Sequence, residues 1–291
     1  MRLFVPPPGA AALQQERDLT EAGELADAAL LRALVARSHA LWLTGGTPEE
    51  VEDGVRQTMA QAATRDAVPV LVAYDVPGRD SGQYSAGGAK DTAAYEAWID
   101  GVGRGIGDGE AVVVLEPDSL GLLPERPADR YAQLGRAVDR LAQQPRAHVY
   151  LDGTHSAWLD VEEVTARLVA AGVERARGFA LNVSNYQTTA DLLTYGEQVS
   201  DRLGGKHFVI DTSRNGRGPW SGPLGWCNPP GRGAGLRPTA DTGVPLLDAY
   251  LWVKVPGESD GPCERDDPPA GAWFPRQALE LARLADPPLL P

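Results

Sequence analysis

Four acidic segments sit where runs of apolar residues give out. Tyr74-Asp75-Val76-Pro77-Gly78-Arg79-Asp80 follows one such run, Leu115-Glu116-Pro117-Asp118 ends a second, Leu151-Asp152-Gly153 ends a third, and 254–260 closes with Asp260 after a fourth. Carboxylates brought close together repel one another, and the repulsion is relieved when at least one keeps its proton. A carboxylic acid that stays protonated near neutral pH can donate to a leaving-group oxygen, the step on which glycoside cleavage turns. Taken singly, each aspartate has an ordinary reading, Asp80 as a turn residue before Gly82 and Asp118 as a helix cap. Four at comparable positions favour chemistry over turn geometry.

Whether the four converge depends on the fold. Apolar runs at 40–44, 68–75, 111–118, 147–152, 178–185, 207–212 and 250–255 read as strands, most of them as the continuous Val/Leu/Ile pattern of parallel strands covered on both faces. Between them the period is helical, with Val51, Val55 and Met59 on one face and Tyr131, Leu134, Val138 and Leu141 on another. Thr47-Pro48-Glu49-Glu50 and Asp160-Val161-Glu162-Glu163 each place a capping side chain three residues before a Glu. Alternating strands and helices imply a parallel sheet with right-handed crossovers. Seven such units close most readily into an α/β fold of the β/α-barrel type, whose C-terminal strand ends share one face; a doubly wound open sheet is the alternative. The irregular stretches 213–242 and 257–272 follow strand ends, where functional loops gather.

Composition narrows the chemistry. With 43% hydrophobic and 23% charged residues the 291-residue chain is expected to fold as one domain over 1–291, without a linker or carbohydrate-binding module. A net charge of -13 argues against a nucleic-acid partner, which would need Lys and Arg to neutralise phosphates, and suits a neutral substrate. No run approaches eighteen apolar residues, so no membrane span is expected. The opening Met-Arg-Leu-Phe-Val-Pro-Pro-Pro lacks the apolar stretch of an export signal, and such a signal is expected to have been removed. Gly101-Val102-Gly103-Arg104-Gly105 trails the helical run 95–99 instead of following a strand, so it reads as a helix end and not as a dinucleotide loop. The 82–90 stretch lacks the Gly-Lys-Ser/Thr of a phosphate loop. His39, His148, His155 and His207 show no paired ligand spacing, so neither metal nor cofactor is expected. Asn182-Val183-Ser184 matches a glycosylation acceptor but falls in an expected strand. Cys227 and Cys263 could be a disulfide or two buried thiols.

The motifs, taken in order, resemble glycoside hydrolase family 6, the inverting cellulases. Tyr74 to Asp80 with Tyr84-Ser85-Ala86-Gly87-Gly88, Val114-Leu115-Glu116-Pro117-Asp118, Leu151-Asp152-Gly153-Thr154-His155-Ser156-Ala157-Trp158, Asn182-Val183-Ser184-Asn185-Tyr186, Asp211-Thr212-Ser213-Arg214-Asn215-Gly216, and Trp252 to Gly261 carry the resemblance over nearly the whole chain. It implies a distorted seven-stranded barrel and gives Asp118 the role of general acid. Asp80 resembles the carboxylate that keeps the acid protonated and joins a water chain to the base, Asp260 the base, and Asp152 a supporting carboxylate. Tyr74 resembles the residue that pushes the sugar at the cleavage point toward its reactive ring shape, and Ser85 or its neighbouring backbone the holder of the water, with Ala86 alongside. Trp42, Trp158 and Trp226 stand where the family stacks sugar rings, as the flat face of a pyranose suits an indole. Lys254, Glu258, His155 and Asn185 resemble ligands of sugar hydroxyls.

The resemblance also implies a disulfide between Cys227 and Cys263. Many relatives carry another starting beside the Arg-Asp motif, where this chain has Ser81, so the 81–88 loop is expected to be freer. The short 260–273 stretch favours endo attack on a β-1,4-glucan over the tunnel of a cellobiohydrolase, by a secreted monomer. The rivals are that exo-acting enzyme, a silent glucan-binding protein, and a phosphate-binding barrel enzyme.

Overall fold

Seven strands pair in parallel and in chain order: β1 (Leu41–Leu43), β2 (Val70–Ala73), β3 (Ala111–Leu115), β4 (Ala147–Asp152), β5 (Gly178–Leu181), β6 (His207–Asp211) and β7 (Leu247–Leu251). The computed structural model describes residues 1–290. Leu71, Val113, Leu115, Phe179 and Phe208 point outward into a layer shared with the helices, while Val70, Val72, Val112, Val114 and Val209 meet inside the curl. Burial on both faces is why these strands read as unbroken apolar runs. No ladder joins β1 to β7. Ala40 N–H donates to Trp252 O at 2.9 Å and the Trp42 indole N–H to Val253 O at 2.8 Å. The sheet therefore curls into a barrel with a seam, the distorted seven-stranded form expected.

Around it run α1 (Ala10–Glu21), α2 (Leu25–Val35), α3 (Pro48–Ala63), α4 (Thr92–Ile106), α5 (Pro127–Leu141), α6 (Val161–Ala170), α7 (Thr189–Arg202) and α8 (Pro275–Arg283). Both expected caps are present. Thr47 and Glu50 exchange side-chain and backbone bonds of 3.2 and 2.8 Å, and Asp160 accepts from Glu163 N–H at 2.8 Å. The first two helices were not foreseen. Leu31 and Leu34 of α2 pack with Ala278 and Ala282 of α8 and with Trp252, just past β7.

Several strands end earlier than their apolar runs. Glu116, Asp118, Asn182 and Ser184 have φ of 52°, 66°, 66° and 57°, so the chain leaves the sheet in left-handed turns before the expected boundaries at 118 and 185. β7 is displaced as well, covering Leu247–Leu251 in place of 250–255, because Trp252 and Val253 turn to meet the start of β1.

Gly101 and Gly105 lie in the last turns of α4, where α3 crosses. A Cβ at Gly101 would stand 2.3 Å from Pro48 O, and one at Gly105 would stand 2.6 Å from Val55 Cβ and 2.7 Å from Glu52 O. The glycine spacing serves helix contact and not phosphate binding. Gly105→Val should lower unfolding free energy by about 1 to 3 kcal/mol through overpacking, measured by chemical denaturation; an unchanged midpoint would contradict this packing role.

Candidate active site

Parallel strands leave backbone N–H groups unpaired where they stop, and here buried side chains accept them. Glu116, past β3, takes Asp75 N–H at 3.0 Å and Val76 N–H at 3.1 Å from the loop after β2. Asp152, ending β4, takes Asp118 N–H at 2.9 Å from the loop after β3. Asp211, ending β6, takes Ser184, Ser213, Val253 and Lys254 N–H groups at 2.9 to 3.1 Å, joining three loops. Asn182 adds a bond from its Nδ2 to Asp211 O at 2.8 Å. These ties fix the loops that form a cleft of about 500 Å³.

Eleven of the thirteen residues expected for catalysis and sugar binding line that cleft: Trp42, Tyr74, Asp80, Ser85, Asp118, Trp158, Asn185, Trp226, Lys254, Glu258 and Asp260. Asp152 lies beneath Asp118. His155 is set back, its ring 5.7 Å from that of Trp158 and its Nδ1 accepting from Ala157 N–H at 3.3 Å. Burial pushes its pKa down to about 4, so it is neutral. Tilted by 48° against Trp158, it stands behind the cleft lining, where it was expected to be a sugar ligand.

The carboxylates fall into two electrostatic classes. Burial, then the charges of Asp152, Asp80 and Asp260, push Asp118 well above the usual carboxylate range, with Lys254 opposing. Burial raises Asp152 to about 7 against the two backbone N–H groups that favour its charge. Asp80 is also raised by burial, against Ser85 N–H, which it accepts at 2.7 Å, and against Arg79. Asp260 goes the other way. Burial would raise it, but Arg214 at 2.8 Å and Lys254 at 3.5 Å hold it below the ordinary value, helped by Asn228 N–H at 2.9 Å. One end of the cleft thus favours a bound proton and the other a fixed negative charge.

Sequence reading did not single out several residues that shape this division. Arg214, fully buried, pairs with Asp260, lies over the Tyr186 ring at 4.5 Å and donates to Ser184 O. Arg79 donates to Tyr74 O at 2.6 Å and Ser85 O at 2.8 Å, and lies over the Tyr74 ring at 4.8 Å. Their signal was a lone arginine beside an acidic motif at a strand end in an acidic chain. The 81–88 loop is more constrained than its missing cysteine suggested. Arg79 N–H donates to Gly87 O at 3.1 Å, and a Cβ at Gly88, φ 95°, would meet Val76 O at 2.0 Å.

Cys227 and Cys263 form a disulfide spanning 36 residues, between the two long loops beside Asp260. Closing a loop of that length stabilises by about 3 to 4 kcal/mol on the chain-entropy account. Asn228 adjoins it, its Oδ1 accepting from Asp260 N–H at 2.8 Å.

The sequence pattern of Glycosyl hydrolases family 6 matches residues 1–285. The chain belongs to this family. Endoglucanase A of Cellulomonas fimi is 45% identical over 262 residues, and Endoglucanase A of Thermobispora bispora 41% over 256. The matches take in 89% and 85% of this chain but only 57% and 55% of those relatives. Among solved structures, the endoglucanase Cel6 from Mycobacterium tuberculosis, bound to methyl-cellobiosyl-4-deoxy-4-thio-β-D-cellobioside, superposes with a TM-score of 0.91 at 41% identity, covering 97% of both chains. Endoglucanase CEL6B from Humicola insolens has the same fold, with a TM-score of 0.85 at 24% identity over 98% of this chain and 96% of that one.

Removing the negative charge nearest Asp118 should let it release its proton more easily. Asp152→Asn is expected to lower the pKa of the Asp118 carboxyl, followed by NMR titration of the side-chain carboxyl carbons. An Asp118 titration that stays in place would show that Asp152 does not govern its proton.

Proposed function

We propose that the chain hydrolyses internal β-1,4-glucosidic bonds of cellulose and related β-glucans, with inversion at the anomeric carbon. The observation that carries this reading is the place of Asp118 in an aromatic-lined cleft, where loss of hydration and then the charges of Asp152, Asp80 and Asp260 push its carboxyl well above the usual range. Asp118 donates its proton to the glycosidic oxygen as the bond breaks. Asp80 sustains that proton by its charge, and with Ser85 it stands at the start of the water path. Asp260 faces the opposite side of the sugar and takes the proton from the attacking water. Its charge is held by Arg214, Asn228 and Tyr186 through Oδ2, which leaves Oδ1, 3.5 Å from Lys254, as the oxygen facing water.

Tyr74 crowds the sugar at the cleavage point and favours its flattened, reactive form. Trp42, Trp158 and Trp226 supply stacking faces, while Asn185, Lys254 and Glu258 take hydroxyl groups. Asp152 positions Asp118 through its backbone N–H, and His155 steadies the Trp158 ring. All of these groups come from one chain, consistent with action as a monomer. The disulfide beside Asp260 suits an oxidising compartment and hence secretion.

Following a cello-oligosaccharide digest by NMR should show the α-anomer first, because an attacking water needs acid and base about 6.5 to 9.5 Å apart. A β-anomer as first product would overturn the inverting assignment. Internal cutting should collapse the viscosity of carboxymethyl-cellulose early, while few reducing ends have appeared; slow loss with cellobiose as sole product would favour the exo-acting rival. Asp118→Asn should cost about 10² to 10⁴ in kcat on an unactivated substrate while oligosaccharide binding persists. Undiminished turnover in that variant would remove Asp118 from its role.

A further inference from the structure

Gly121 stands in the turn that leaves Asp118. A Cβ at this position would lie 2.4 Å from Trp158 Cζ2, 2.6 Å from Cη2 and 2.7 Å from Cε2, so the backbone at 121 lies directly against the indole. Its φ is outside the left-handed region, and nothing in that angle asks for glycine. What excludes a side chain at 121 is the ring of Trp158.

Were a side chain present, either the turn or the ring would have to yield, and the turn is the better held. Asp118 O accepts from Gly121 N–H at 2.9 Å and from Leu122 N–H at 2.8 Å. Ser119 Oγ accepts from Arg130 Nη1 at 3.0 Å, Leu120 O accepts from Arg167, and the Leu120 side chain is buried. Trp158 is only half-buried, and it is the far edge of its ring that meets Gly121. An indole bond to Val253 O pins the ring of Trp42, whereas that of Trp158 rests on contacts, with Gly121 and with the His155 ring 5.7 Å away. Asp118, Leu122 and Trp158 all line the cleft, so the turn that carries the acid also sets the place of a stacking face.

We propose that Gly121 is a positioning residue: having no side chain, it lets the Trp158 ring settle on the Asp118 turn and so fixes that stacking face relative to the acid. The inference rests on the glucanase reading and assigns to one glycine the spacing between a sugar platform and the bond that Asp118 protonates. A methyl group at 121 drives the indole edge off the turn, because the anchored backbone does not give way. A pyranose then loses its stacking partner in the ground state and the transition state alike, which weakens binding and leaves the chemical step nearly as it was.

The experiment is a cycle of wild type, Gly121→Ala, Trp158→Ala and the two combined, each assayed for kcat and KM on cellotetraose, cellopentaose and cellohexaose. Thermal unfolding is followed for all four. Gly121→Ala should raise KM by about threefold to tenfold, the factor of one aromatic contact, on the same chain lengths that Trp158→Ala affects, with kcat changed by less than about twofold. Once Trp158 is alanine the glycine substitution should add less than about twofold, since no ring remains to be displaced. An unchanged KM in Gly121→Ala, or a rise that is the same with and without the indole, overturns the role and leaves the glucanase reading standing. If Gly121→Ala does not fold, the combined variant decides: recovery of a folded protein supports the ring contact, and failure to recover shows that the turn itself requires glycine and overturns the proposal. A wild type that hydrolyses none of these oligosaccharides brings down both readings.

Discussion

Everything at the mouth of this barrel follows from negative charge held out of water. Parallel strands stop with their backbone N–H groups unsatisfied, and the chain meets that demand with Glu116, Asp152 and Asp211, each buried and each reaching to a loop from another strand. The arrangement fixes the loops, but it also collects carboxylates where hydration cannot spread their charge. Burial raises Glu116 to about 7 and Asp75 to about 6, and burial together with the charges of three neighbours pushes Asp118 well above the ordinary carboxylate value. A scaffold that ties its loops with acids thereby raises the proton affinity of the carboxyl at its centre.

The cations set the asymmetry. Arg214 and Lys254 both stand on the Asp260 side, so one carboxylate escapes the general rise and stays charged. Arg79 is spent differently, on carbonyl oxygens and the face of Tyr74, so it shapes the loop that carries Asp80 more than it neutralises that aspartate. Left-handed backbone at Asp80, Glu116, Asp118 and Ser184 belongs to the same picture. Conformations that cost energy in isolation persist because side-chain bonds over-determine them.

Much of this was legible in the sequence, and for a physical reason. Burial on both faces writes a strand as an uninterrupted apolar run, so the seven strands could be read directly, with Asp152 ending β4 and Asp80, Asp118 and Asp260 on the loops after β2, β3 and β7. The boundaries could not, because residues such as Val183 stay buried after the strand has ended in a turn. The first two helices escaped notice because their partners, α8 and Trp252, lie at the other end of the chain. The same distance hid the place of Arg214. A local pattern shows that an arginine is present, but what it faces is decided by residues such as Asp260, which only folding brings near.

The seam between the first and last strands has a topological consequence. A fully laddered ring of strands makes a bowl, whose walls rise on every side and which suits a small molecule dropped in from above. Here one stretch of wall is reduced to the Ala40 and Trp42 bonds, and Trp42 also lines the cleft. Where every other pair of neighbours shares a ladder, this stretch of wall hangs on two hydrogen bonds, so it is the place where the ring can part without a strand pair being broken.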